Sequence, residues 1–95
     1  MKKIKNIHPG EILREEFMEP LNLSSYRVAK ETKIQATRIN QIVHEKRGIS
    51  PDTALRLSKY FGNSAEFWLG LQIEYELREK RAEIQKELTE IKQYA

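Results

Sequence analysis

The sequence predicts an all-α fold of five or six helices, and three observations carry that expectation. Apolar residues recur at three- and four-residue spacing, and nowhere alternate as a convincing strand would. Helix start and stop residues fall where the periodic stretches begin and end. Finally, 95 residues with 39% hydrophobic content suffice for one small domain with a modest core. The whole chain, 1–95, is therefore expected to be a single domain.

The first helix is expected to start at Pro9, whose fixed φ suits the first helical turn. It carries Ile12, Leu13 and Phe17 on one side and should stop before Pro20. Leu21 and Leu23 lead to Ser24, an N-cap residue. A second helix then runs to about Glu31, with Val28 and Ala29 inward and Arg27 and Lys30 outward. After the brief turn Thr32-Lys33-Ile34 a third helix begins at Gln35 or Ala36 and ends near His44. Its apolar positions Ile39, Ile42 and Val43 define one helical face. Ser50-Pro51 opens the fourth helix and Gly62 closes it, with Ala54, Leu57 and Phe61 inward. Asn63-Ser-Ala-Glu66 has capping-box form and should open a fifth helix carrying Phe67, Trp68 and Leu71. Past Leu71 there is no firm stop. Leu77, Ile84, Leu88 and Ile91 follow at heptad-like spacing among many charges, with the helix either continuous or broken near Leu71–Ile73.

Charge is distributed unevenly. The net charge is +3, but residues 1–50 hold ten Lys or Arg against six Asp or Glu, and residues 51–95 hold seven against eight. The stretch from Ser24 to Ser50 has six basic and two acidic residues. A basic front half suits a polyanion, and a mixed-charge tail suits protein contact. The absence of cysteine excludes disulfides and fits a reducing cytoplasm. The basic start MKKIKNIHPGE has no apolar run of the signal-peptide kind, and no stretch approaches a membrane span.

Two short helices joined by a three-residue turn, the second polar at its N-terminal end, suggest a helix-turn-helix. In that motif the second helix puts its N-terminal residues into the DNA major groove while its apolar face stays on the core. The outward set of the third helix is Gln35, Ala36, Thr37, Arg38 and Gln41, with Asn40 beside them. Arg can bond guanine bidentately, Gln can do so with adenine, and Ala or the Thr methyl can meet a thymine methyl.

The pieces HPGEIL, TRINQIVHEKRGIS, DTALRLSKYFG and SAEFWLGLQ occur in that order between His8 and Leu77. Together they resemble the HigA (VapI) antitoxins of the lambda-repressor-like, or XRE, helix-turn-helix superfamily. The resemblance implies a five-helix lambda-repressor-like domain with a C-terminal helical extension. Residues 8–62 would form the DNA-binding core, and 63–95 would supply the helix or helices of a homodimer. It further implies a cytoplasmic antitoxin that silences a HigB-like mRNA-cleaving toxin and represses its own operon at a palindromic operator. Carried over by position, Ala36, Thr37, Arg38 and Gln41 would read bases. Ser24, Ser25, Tyr26, Arg27, Gln35, Asn40, Lys46 and Arg47 would hold phosphates. With about three phosphates per subunit, a dimer should show a log–log salt slope of roughly −5. Two positions depart from the family: Lys33 and Glu45 stand where glycine is usual. Lys33 would strain a left-handed turn by ~1 kcal/mol, and Glu45 would set a negative charge beside a phosphate contact.

Other chemistry finds little support. His8 and His44 are far apart and lack cysteine partners, so no metal site is expected. His44-Glu45 starts like a zinc-protease HExxH, but position 48 is glycine. Ser24 and Ser25 have no base partner, and no cofactor or catalytic role is expected. A solitary repressor without a toxin is the alternative reading, and a protein-only helical adaptor is a more distant one. If there is a toxin, it should be basic, which favours an acidic surface. Three candidates stand: the exposed faces of helices two and four, the charged tail, and helix one with the N-terminal arm. Of these, helix one, with Glu11, Glu15, Glu16 and Glu19, and the arm are expected to contribute.

Overall fold

In the computed structural model, which describes residues 5–94, the six α-helices are α1 (Pro9–Ile12), α2 (Ser25–Thr32), α3 (Ala36–Val43), α4 (Pro51–Phe61), α5 (Ala65–Glu83) and α6 (Gln85–Glu90), and α1 runs straight on into a π-helical segment, Leu13–Met18. The arm residues 1–4, part of the surface expected to meet a toxin, lie outside the described residues.

The HPGE motif anchors the first helix. Pro9 occupies its first turn, and the Gly10 N–H donates to the buried His8 Nδ1 at 2.8 Å. Burial lowers the His8 pKa, partly offset by Glu45, in the direction that favours an accepting Nδ1. Tyr75 of α5 meets the His8 ring edge-on at 4.8 Å. A Cβ on Gly10 would lie 1.8 Å from the Ile42 carbonyl oxygen. Backbone therefore touches backbone where α1 crosses α3, and only glycine fits.

Ser24 caps α2 by accepting from the Arg27 N–H at 3.1 Å. Lys33 ends it in the left-handed region, φ 59°. Ser50 caps α4, and Gly62, φ 75°, closes it. These boundaries match the expected ones because each is set by a local residue. The start of α5 is shifted by one position. Its N-cap is Ser64, which accepts from the Phe67 N–H at 3.0 Å. Glu66 is consequently one residue too early for a capping box, and Asn63 Oδ1 instead accepts from Trp68 Nε1 at 2.8 Å. Helix α5 passes Leu71–Ile73 unbroken, and the break falls at Ile84.

Trp68 is fully buried, as are Leu13, Val28, Ile39, Ile42, Ala54 and Leu57. Phe17 stacks at 5.0 Å and Phe67 at 5.1 Å from the Trp68 ring, and Phe61 packs partly buried beside them. Burying each large apolar side chain contributes about 1.5–3 kcal/mol. Below Trp68, α5 keeps further grips on the body: Tyr75 packs on His8, its carbonyl accepts from Asn6 Nδ2 at 2.9 Å, and Gln72 Oε1 accepts from the Ile49 N–H at 2.7 Å, holding the loop that follows α3.

Candidate nucleic-acid interface

The outer face of α3 follows from its inner one. Ile39, Ile42 and Val43 are buried, so the 100° turn per residue sends Thr37, Gln41 and His44 to the opposite side. Ala36 and Asn40 lie exposed beside them, and Gln41 is half-buried. Gln35 is the N-cap residue, exposed, and its side chain makes no capping bond. The first N–H groups of α3 thus lack a side-chain acceptor, and that end of the helix suits an anion.

The first turn of α2 stands beside this face. Ser25, Tyr26, Ala36, Thr37 and Asn40 line one shallow groove of about 330 Å³. Tyr26 is 71% exposed, unusual for an aromatic ring. The fold therefore gathers Ser25, Tyr26, Ala36, Thr37 and Asn40 in one place. Ser24 is spent on its cap, although its hydroxyl keeps a proton to donate. Arg27 is turned along its own helix to Glu31 at 3.3 Å. Lys46 and Arg47 sit past the far end of α3, exposed and without an ion pair among the described residues.

Arg38 lies on the flank of α3 rather than at the centre of its outer face. Its Nη1 donates to Asp52 Oδ1, in the first turn of α4, at 3.3 Å. The same oxygen accepts from Arg56 Nε at 2.8 Å. Arg56 in turn donates to the Thr32 and Lys33 carbonyls at 3.3 and 3.2 Å, which are the carbonyls left open where α2 ends. The hydrogen bond from Arg56, and then the charges of Arg56 and Arg38, hold the Asp52 carboxyl below its ordinary pKa.

Both acidic residues of the basic Ser24–Ser50 stretch are occupied by partners. Glu31 accepts from the Tyr60 hydroxyl and from Arg27, and the Tyr60 bond is the larger cause of its lowered pKa. Glu45 pairs with Arg14 at 3.4 Å, and Arg14 Nη1 also donates to the Val43 carbonyl at the end of α3. The expected negative charge at Glu45 is thus partnered by a cation of helix one. Both residues expected to stand in place of a family glycine are left-handed: Lys33 at φ 59° and Glu45 at φ 62°. The strain expected at Lys33 is present, and Glu45 carries it too.

Sequence reasoning missed His44 as part of the outer face, although Thr37, Gln41 and His44 are spaced four and then three apart. It also missed Asp52, Arg56, Arg14 and Gln72. These act across the fold and have no periodic signature.

A helix-turn-helix family model matches residues 15–68. Virulence-associated protein I of Dichelobacter nodosus is 54% identical over 72 residues, covering 76% of this chain and 67% of that protein. The solved structure of Pseudomonas aeruginosa antitoxin HigA with the higBA promoter is 44% identical, with a TM-score of 0.91, covering 96% of this chain and all of that one. Antitoxin GraA in complex with its operator is 36% identical, with a TM-score of 0.87, covering all of this chain and 96% of that one. The segments named above, the backbone geometry between α2 and α3, and these likenesses agree: the chain belongs to the helix-turn-helix family that includes virulence-associated protein I and the HigA antitoxins.

Proposed function

We propose that this protein is the antitoxin of a type II toxin–antitoxin system, acting in the cytoplasm, which binds a HigB-like mRNA-cleaving toxin and represses its own operon as a homodimer on operator DNA. The observation that carries the DNA half is the groove between α2 and α3, with the polar outer face of α3 beside it. It stands in a fold shared nearly end to end with antitoxins solved on promoter or operator DNA. Ala36, Thr37, Arg38 and Gln41 read base edges. Ser24, Ser25, Tyr26, Arg27, Gln35, Asn40, Lys46 and Arg47 hold phosphates, with Gln35 at the open N-terminus of α3. Residues 8–62 form the DNA-binding core.

The dimer forms through residues 63–95. Ile73, Leu77, Leu88 and Ile91 are exposed there, at 54, 45, 42 and 70%, and a second copy would cover them. The toxin meets the acidic side of helix one, where Glu15 and Glu16 are exposed. The protein takes part in no catalysis of its own.

Co-expression with the product of the neighbouring reading frame tests the toxin half. Growth rescue with co-purification supports it, and a shift of the upstream DNA without rescue leaves a solitary repressor. For the DNA half, Arg38→Ala should cost ~1–3 kcal/mol on the operator, roughly 5- to 150-fold in affinity, and little on random duplex. Equal loss on both duplexes would make Arg38 a phosphate contact.

A further inference from the structure

Asp52 stands outside every residue set assigned above, yet its carboxylate is the junction between the α2–α3 turn and the flank of α3. One oxygen, Oδ1, takes both Arg38 Nη1 at 3.3 Å and Arg56 Nε at 2.8 Å. Arg56 is itself fixed by the carbonyls of Thr32 and Lys33. The Arg38 side chain is 31% exposed and that of Asp52 57%, so the pair lies at the surface of the flank, with the carboxylate tying one end of the guanidinium to α4. Of the five N–H donors of the planar guanidinium, this contact takes one on Nη1 and leaves the remaining edge for a ligand.

We propose that Asp52 is the positioning residue that makes Arg38 a base reader rather than a phosphate contact, an inference that rests on the DNA-binding reading above. An arginine held at one nitrogen by a carboxylate presents a fixed remaining edge, which suits the two acceptors of a guanine, O6 and N7. A free arginine on the same flank swings to the nearest phosphate, which every sequence offers equally. The carboxylate also acts against binding in the wrong register. It lowers the local positive charge and so weakens attachment to duplex that offers Arg38 no guanine. Arg56 keeps the carboxylate in place and ties it to the turn that sets the angle of α3.

The test is operator and random-duplex binding by the full-length protein and by Asp52→Asn, Arg38→Ala and the double variant, each over a range of salt. Asp52→Asn should weaken operator binding about five- to tenfold and strengthen random-duplex binding about two- to threefold, with a steeper salt dependence on the random duplex. Discrimination then falls at least tenfold, and the loss should map to one base pair per half-site when the operator is varied. In the Arg38→Ala background, Asp52→Asn should leave operator discrimination unchanged. Equal weakening on both duplexes, undiminished discrimination, or a loss that persists without Arg38 would overturn the proposal and leave Asp52 as a structural ion pair. A wild-type protein that binds its upstream DNA while Asp52→Asn discriminates normally sinks this inference alone. A wild-type protein that binds no duplex sinks the DNA-binding reading and this inference with it.

Discussion

Helices α3 and α5 use their apolar residues in opposite ways. Helix α3 has eight residues and buries Ile39, Ile42 and Val43; α5 has nineteen and buries only Trp68. The large apolar residues of α3 are consumed by the body, so what the helix shows outside, Ala36 apart, is Thr37, Asn40 and Gln41, with His44 at its C-cap, a surface of hydrogen-bonding groups. Helix α5 is fastened at its start by Trp68 and Gln72. Tyr75 still touches His8 on one side, while Ile73 and Leu77 form a stripe the fold does not cover. The difference separates two kinds of recognition within one short chain. One face is polar and backed by buried residues of the same helix, which suits the proposed contact with base edges. The other is apolar and uncovered, and its natural use is burial against another apolar surface.

Four changes probe that contrast. Trp68→Ala attacks the fastening of α5 and should cost the largest amount, about 3–5 kcal/mol in urea unfolding. A loss below ~1 kcal/mol would mean that Phe17 and Phe61 close over the gap and that α5 is not secured there. Leu77→Asp attacks the uncovered stripe. It should leave the monomer's stability within about 0.5 kcal/mol, as for other surface changes, while sedimentation shows self-association weakened at least tenfold. Unaltered association would move the contact between copies elsewhere. The smallest effects are expected at the two left-handed residues flanking α3. Lys33→Gly should stabilise by ~0.5–1 kcal/mol, because relief of the left-handed cost outweighs the extra freedom of glycine in the unfolded chain. Glu45→Gly should come out near zero, since it also loses the Arg14 pair. Equal gains at both sites would show that the Arg14 pair contributes nothing.

What could be read from the sequence was what depends on near neighbours. Ser24, Ser50-Pro51 and Gly62 mark helix ends by chemistry confined to one turn, and the structure has them there. The Ile39–Ile42–Val43 face needed only the helical period. At Asn63-Ser64 two capping residues stand side by side, and the choice between them was made by Trp68, whose indole N–H takes the Asn63 oxygen. The π-helical form of Leu13–Met18 has no composition signal; those residues are ordinary helix formers. The candidate interface divides in the same way. Ala36, Thr37 and Gln41 were legible as an outward edge. The ion pairs Arg38–Asp52 and Arg14–Glu45 span 14 and 31 positions and exist only once the helices have packed.

The unbroken run of α5 also gives it the properties of a ruler. Nineteen residues span roughly 28 Å at about 1.5 Å per residue, stiffened on the surface by the Glu74–Arg78 pair. If two copies join along its far half, the separation of their α3 helices is set by this length and by the angle of the rod's face. One inserted residue would add only ~1.5 Å but rotate everything beyond it by about 100°. The tolerance of such a rod is therefore periodic: it absorbs a gain or loss of a whole turn far better than that of a single residue, and an operator's half-site spacing would be bound to its phase more tightly than to its length.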